Sequence, residues 1–454
     1  MIRERADVGF AASAIECSRL FAEPKFPLRK LGELCTLVQY GSSALASAEP
    51  KGWPIIRMNN LQQEGWDFTD LKYLEPPPEE AATYRVERGD ILFNRTNGSR
   101  DLVGKCEVFD QPGDWLFASY LIRIRINREA ARPQFIAQFL NTKAGRAQIL
   151  RSSRQILMSN INSEEIRALE IPLPPLRVQE QLEAQLAEAK AQRERKLAEA
   201  DALLTSLDGW LLEQLGIPHA PAKSSRAFAV GLSQIDGPLN PERYLTLALQ
   251  RAVKGVPVLN VAEILNSKIS PAQVAPESEW DWIRIDDLSN QPIEVETVRT
   301  EVGSNIEGSL FEVRENDVLL ARLGPTILNA KFVLCPKTRR QTVASGEFLV
   351  LRCKPGWNPL VVLSVFRTSL FRQLMYSKAR GGTPSRYRLN AEDLANLPFP
   401  QIRPELQQAI ATEVVRRRET ARRLRSEAAS EWAAAKTWFE SELLGRPATT
   451  ERNS

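Results

Sequence analysis

The chain has 454 residues, 43% of them hydrophobic and 26% charged, with a formal net charge of +4. That length can bury two or more cores, the composition is ordinary for a globular protein, and no apolar run approaches the ~18 residues of a membrane span. A charge this close to neutral argues against a sequence-independent nucleic-acid coat, so affinity for DNA would have to come from local basic patches.

Five cysteines (Cys17, Cys35, Cys106, Cys335, Cys353) stand singly with no CxxC pair, which fits buried thiols in a reducing cytoplasm. The opening MIRERADVGFAASAIECSRLF sets Glu4, Asp7 and Glu16 in and around its apolar patch, a poor match to a secretion signal. The single histidine, His219, lies in the loop-like segment IPHAPAKSSRA. One histidine without a cysteine pair argues against a Cys/His zinc site and a Ser-His-Asp triad. No metal site is expected.

In chain order, alternation and β-branched content predict strands at WPIIRMNNL, GDILFNR, KCEVF and SYLIRIRI. A helical stretch, PQFIAQFLNTKAGRAQIL, follows. The Pro-rich IPLPP is expected to end the globular part, because proline cannot continue regular pairing. A long helix is predicted over 176–216. Leu182, Leu186, Ala189, Leu197, Ala200, Leu204, Leu207, Leu211 and Leu215 recur mostly every three or four positions, with Arg193 interrupting. Trp210 precedes its Leu215-Gly216 end, glycine being the expected stop.

After a linker over 217–240 the plan is repeated. Strands are predicted at DWIRIDDL, DVLLAR, AKFVLC and EFLVLRC, then a helical stretch NPLVVLSVFRTSLFRQLMYS and the stop LPFPQ. A second long helix over 402–445 carries Leu406, Ile410, Val414, Ala421, Leu424, Ala428, Trp432, Ala435 and Phe439, with Arg417 interrupting, and a tail runs over 446–454.

The repetition is explicit. Ile56-Arg-Met-Asn-Asn-Leu61 returns 227 positions later as Ile283-Arg-Ile-Asp-Asp-Leu288, and Tyr84 to Arg95 returns at the same offset as Phe311 to Arg322. Ala118-Ser119 returns as Ala344-Ser345, and IPLPPLRVQEQ as LPFPQIRPELQ. Four blocks in one order mark a duplicated domain plus connector. The fold class is therefore α+β: two repeated mixed α/β domains, 1–175 and 217–401, separated by two long coiled-coil helices that would most simply pair with each other. At ~1.5 Å per residue those helices would run roughly 60 Å, longer than such a domain is wide. Leu204, Leu207, Leu424 and Ala428 are expected in their buried seam.

Catalytic motifs are wanting. In GSRDLVGKC, Gly98 and Gly104 enclose five residues and Cys106 stands where a phosphate loop needs Ser/Thr. EPPPEE lacks the aromatic residue of an amino-methyltransferase motif, and no glycine-rich dinucleotide fingerprint follows a strand. No catalytic residue is assigned.

Each repeat instead hangs polar, donor-rich loops from its strands. In the first copy the loop after GDILF offers Arg95, Thr96, Asn97, Ser99 and Arg100, followed by Lys105, and a later loop offers Arg154, Asn160 and Asn162. The second copy answers with Arg322 and Lys331, and then with Arg380, Thr383, Ser385, Arg386 and Tyr387. Asn59, Asn60 and Arg284 come from the repeated Ile-Arg blocks. Such side chains read base edges or hold phosphates. Alike scaffolds carrying unlike loops are what a two-part, asymmetric DNA site requires.

Two variable domains, each headed by a KLGEL-like segment (Lys30–Leu34; Val261–Ile264), carrying GDIL…R and ending in PLPP before a coiled helix, resemble the specificity subunit of type I restriction–modification enzymes. RGGTPSRYRLN also resembles the polar loop before the last helix of its target-recognition domains, although the first copy has Met158-Ser-Asn-Ile-Asn162 there. The resemblance implies two target-recognition domains, each reading half of a bipartite site in double-stranded DNA, and two long antiparallel helices that set the spacing. It also implies a non-catalytic cytoplasmic chain that binds no cofactor itself and docks two DNA methyltransferase (modification) subunits and restriction/translocase subunits. S-adenosylmethionine, ATP and magnesium would then belong to those partners in phage defence. A methyltransferase-only or other phage-defence recognition subunit, and a coiled-coil scaffold without DNA binding, are the alternatives.

Overall fold

The computed structural model describes residues 19–62, 65–75, 78–97, 102–152, 154–155, 159–217, 253–266, 268–269, 273–290, 294–295 and 298–445. Cys17, His219, Ser99, Arg100, nearly all of the linker and the tail lie outside them. The chain divides into a first unit, Met1–Lys196 with Ser426–Ser454, and a second, Leu197–Arg425. The divisions fall inside the long helices, so each helix lends one part to each unit.

In the first unit Cys35–Tyr40, Leu121–Ile126, Ile91–Asn94 and Cys106–Val108 form one antiparallel sheet in that order. Successive side chains of Ile91–Asn94 point to opposite faces, yet all four are buried. Ile91 and Phe93 enter one core with Ile122, Ile124 and Phe135. Leu92 enters another with Ile56, Phe117 and Leu121. A second sheet supplies that core, with Trp53–Ile56 parallel to Leu116–Phe117 and antiparallel to Lys72–Leu74.

The second unit repeats the order. Ala262–Ile264, Phe348–Cys353, Val318–Ala321 and Phe332–Leu334 make the antiparallel sheet, and Glu279–Ile283 runs parallel to Thr342–Ser345 in the other. Duplication reaches the side chains. Gln179 accepts from the Arg132 N–H at 2.9 Å and donates to Pro174 O at 2.8 Å. Gln407 accepts from the Asn358 N–H at 2.8 Å and donates to Ile402 O at 3.0 Å. Each buried amide thus fastens the first turns of a long helix to its own domain.

Two expectations are corrected in detail. Each helical stretch is two helices, Pro133–Leu140 with Lys143–Ser152, and Pro359–Arg367 with Ser369–Lys378. Thr142 is the reason in the first: its hydroxyl donates to Phe139 O at 2.7 Å and accepts from the Gly145 N–H at 3.2 Å, ending one helix and starting the next. Thr368 does the same between Val365 O and the Phe371 N–H. The prolines do not end pairing either. Glu170–Pro172 pairs with Leu28–Lys30, and Pro398–Pro400 with Gly255–Pro257, both antiparallel. In a two-stranded ladder each strand has one unpaired edge, where a missing N–H costs nothing.

The long helices run Leu176–Gln214 and Pro404–Leu444. Within the first unit Leu182 and Leu186 share a core with Trp432, Phe439 and Leu443, and the Lys196 ammonium reaches Glu427 at 3.0 Å and Glu431 at 2.6 Å. Within the second, Arg425 pairs with Asp201 at 2.7 Å and Arg417 donates to Ser206 at 3.0 Å. Rising numbers on one helix meet falling numbers on the other, so the pairing is antiparallel in each unit. Leu424 and Ala428 are in the buried seam, whereas Leu204 and Leu207 are half-buried and Ala200, Ala421 and Leu211 take the dry positions. Both helices close on left-handed glycines, Gly216 (φ +61°) and Gly445 (φ +68°).

Candidate nucleic-acid interface

In the first unit the buried strand Ile91–Asn94 leads through Arg95 into Thr96–Asn97. That short strand pairs with Ser159–Asn160, which pairs in turn with Arg154–Gln155. The fold therefore joins the two polar loops of this copy into one small sheet. The Ile161 N–H donates to Arg95 O at 3.0 Å. In the second unit the corresponding Leu389 N–H donates to Arg322 O at 2.9 Å, and the Gly324 N–H to Tyr387 O at 2.8 Å. One backbone joint, built twice, brings the loops together in each copy.

Arg95 lies with its guanidinium carbon 4.9 Å from the centre of the Tyr40 ring. Tyr40 in turn accepts from the Ser163 N–H at 3.1 Å. Stacking holds the cation without consuming its in-plane donors. Among the described residues Nε of Arg95 is buried without a hydrogen-bond partner, and the same is true of Arg322, its counterpart 227 positions on. The repeated arginine thus keeps an unused donor in both copies. Tyr40 escaped the sequence reading, and so did the exposed Tyr120; the only cue was an aromatic residue before Gly41.

The other candidates divide by what already engages them. Asn160 is exposed, Asn97 is half-buried and Thr96 is buried. Asn59 is exposed, while its neighbour Asn60 is 1% exposed. The Asn60 amide accepts from the Arg57 N–H and donates to Asp67 O and Asp70 O, which closes a turn. Asn162 caps the helix Ser163–Arg167 in a reciprocal box with Glu165. These two amides are spent on structure. Lys105 donates to Leu61 O at 2.9 Å and Lys331 to Ile285 O at 3.3 Å, so each ties a loop to the repeated Ile-Arg block of its own copy, at different positions of that block. Burial and the nearby Arg146 push the Lys105 ammonium below its ordinary value. Arg284 stacks at 5.0 Å on Trp282 and pairs with Asp286 at 3.2 Å. The backbone of Arg154 is placed by its strand.

In the second copy Pro384–Arg386 forms one 3-10 turn. The loop doubles back so tightly that a Cβ on Gly381 would sit 2.5 Å from Arg386 O. The Thr383 and Ser385 hydroxyls are 3.2 Å apart, Arg386 is exposed, and Tyr387 packs at 6.0 Å on Tyr376. Arg380 lies 3.7 Å from Asp393, and Arg388 pairs with Glu347 at 3.1 Å.

Among the described residues there is no group of three His, Cys, Asp or Glu side chains placed to hold a metal, and no helix long and apolar enough to cross a membrane. Burial pushes the Cys35 thiol up to about 12, with Cys335 and Cys353 alike, and raises Cys106 further, so these are packing residues rather than nucleophiles.

A model of the type I restriction modification DNA specificity domain matches residues 25–186. The MjaX type I restriction enzyme specificity subunit of Methanocaldococcus jannaschii is 30% identical over 158 residues, 34% of this chain and 37% of that one. The EcoKI specificity subunit of Escherichia coli is 27% identical over 152 residues, 33% of this chain and 32% of that one. The matched segment thus spans about a third of these relatives. A solved chain described under the assembly and conformational transition of the type I R-M system superimposes over 94% of this chain and 99% of its own, with a TM-score of 0.54 and 16% identity. That likeness concerns the fold.

Proposed function

We propose that this chain, whose residues 25–186 match the type I restriction modification DNA specificity domain, is a DNA-reading subunit whose two domains each address one half of a bipartite target. The observation that carries the reading is the repeated joint: Arg95 and Arg322 occupy one position in two copies, each with an unspent donor and each tied to a polar loop of different sequence. Common scaffolds place the loops alike, and unlike loops present different donors, so each half would select its own bases. In this reading the long helices set the spacing between the two half-sites, and the chain has no catalytic residue and binds no cofactor. Two DNA methyltransferase subunits and restriction/translocase subunits dock on it in the cytoplasm and bring S-adenosylmethionine, ATP and magnesium.

The direct test is binding of the full chain, alone and with a methyltransferase partner, to duplex DNA at several fixed salt concentrations. The reading expects sequence-dependent affinity on top of a salt-dependent general term. Equal affinity for every sequence would contradict it, and no binding to any duplex would leave a scaffold role instead.

A further inference from the structure

The second unit contains a cavity of about 530 Å³ beside its helix pair, lined by Arg367, Arg372, Arg418 and Arg425 with Asp201 and Asp208. The carboxylates are engaged: Asp201 pairs with Arg425 at 2.7 Å, and Asp208 accepts from the Ser369 N–H at 2.9 Å. Arg372 donates to Leu328 O, and its buried Nε has no partner. Arg418 makes no hydrogen bond or ion pair to a described residue, and Glu294, the acid nearest in effect, is held by Arg422 at 2.5 Å.

Duplication supplies a control. The first unit has the equivalent cavity, of about 120 Å³, with Asn141, Arg146 and Lys190 at the positions of Arg367, Arg372 and Arg418. There Asn141 donates to Cys106 O at 2.7 Å. Arg367 makes the same bond, to Phe332 O at 3.0 Å, from the matching place. A neutral amide therefore suffices for that contact. Lys190 lies 3.7 Å from Glu107, whereas the matching residue in the second unit is Val333. The smaller cavity sets Lys105, Arg146, Lys190 and Lys436 against Glu107, and the larger sets its four arginines against Asp201 and Asp208, so size and guanidinium chemistry, not net charge, distinguish the two.

Half-buried like charges repel and lose hydration, and such clusters are stable when an anion joins them. Burial and mutual repulsion bring Arg367 down to about 9, and burial is the main cause bringing Arg418 down to about 10. We propose that this cavity of the second unit binds a small polyphosphate, with Arg367, Arg372 and Arg418 as its cationic ligands. Several guanidinium forks match several phosphate oxygens, and the volume exceeds that of a single oxyanion.

The test is calorimetric titration of the full chain with inorganic tripolyphosphate and, separately, with ATP. One saturable site is expected. Arg367→Asn keeps the donor that Asn141 uses, and Arg418→Gln removes the unpaired charge; each should weaken binding about tenfold or more, as loss of a charge-assisted bond does. Lys190→Gln in the other cavity should change nothing. Equal affinity for the two probes assigns recognition to phosphate, and tighter ATP binding places a nucleoside in the remaining volume. No saturable binding, or binding indifferent to both arginine variants, overturns the proposal. So does equal loss in Lys190→Gln, or a parallel loss of duplex DNA affinity in Arg367→Asn. Should Arg367→Asn fail to fold, Arg418→Gln decides alone.

Discussion

Asp90 receives a two-pronged contact from Arg125, Nε at 2.7 Å and Nη2 at 2.9 Å, and Asp317 receives the same from Arg352 at 2.9 and 2.7 Å. Each aspartate also accepts a backbone N–H, of Glu87 or Arg314, at 2.9 Å. The carboxylates are almost fully buried while each arginine is about a third exposed (32% and 34%). Asp317→Ala strands a partly buried cation and opens the turn. Discounted for solvent at the arginine, the expected loss is about 2 kcal/mol, read as a lowered denaturant midpoint. Asp317→Asn, which keeps the turn, should lose less. Equal losses would mean that the ion pair, not the turn, carries the effect.

The helix seam is tested at Ala421, which is fully buried beside Ala200 and Leu424. Ala421→Asp places an unpaired charge there and should cost several kcal/mol, lowering the thermal midpoint. The same change at Ala429, which is exposed, should leave it nearly unaltered. Indifference at Ala421 would place the seam elsewhere.

Glu440 gives a pH dependence. Burial raises its carboxyl above the ordinary 4.5, although it accepts the Ala144 N–H. The folded state therefore holds this proton more tightly than the unfolded chain, and its contribution to stability falls as pH rises from 4.5 through the raised value. Glu440→Gln removes the charge and keeps an acceptor. The variant should match the wild type below pH 4.5 and gain on it above. A thermal-midpoint difference constant across pH 3.5 to 8 would contradict this.

Much of the architecture was legible because duplication prints the same periodicities twice. The strand at Ile91–Asn94, the glycine stops at Gly216 and Gly445 and the two long helices all follow from local pattern. What was hidden depended on tertiary context. The segment Pro398–Pro400 reads as a breaker, but only the fold shows that its paired edge needs no N–H from proline. Asn60 and Asn162 read as donors for a ligand until a turn and a cap are seen to use them. The stack of Arg95 on Tyr40 joins residues far apart in sequence, and nothing local announces it. Arg367 was passed over because a lone arginine in an apolar helix reads as a surface residue.

Division of labour between the loops is tested by Arg95→Ala and Arg386→Ala. Each should alter base preference or affinity at one half of the target only. A lost bidentate contact to a base costs ~1–3 kcal/mol at one position, whereas a lost phosphate contact weakens all sequences alike. Binding assays on targets varied one half at a time would show it. Equal effects on both halves would break the assignment of one loop to one half.

The central claim is met most directly by selecting duplexes from a random pool with the wild-type full chain, joined by a methyltransferase partner where binding needs it, at one salt concentration. The account predicts enrichment of two short, different, specified sequences separated by an unspecified spacer of constant length. Recovery of one continuous motif, or of no motif at all, would contradict it.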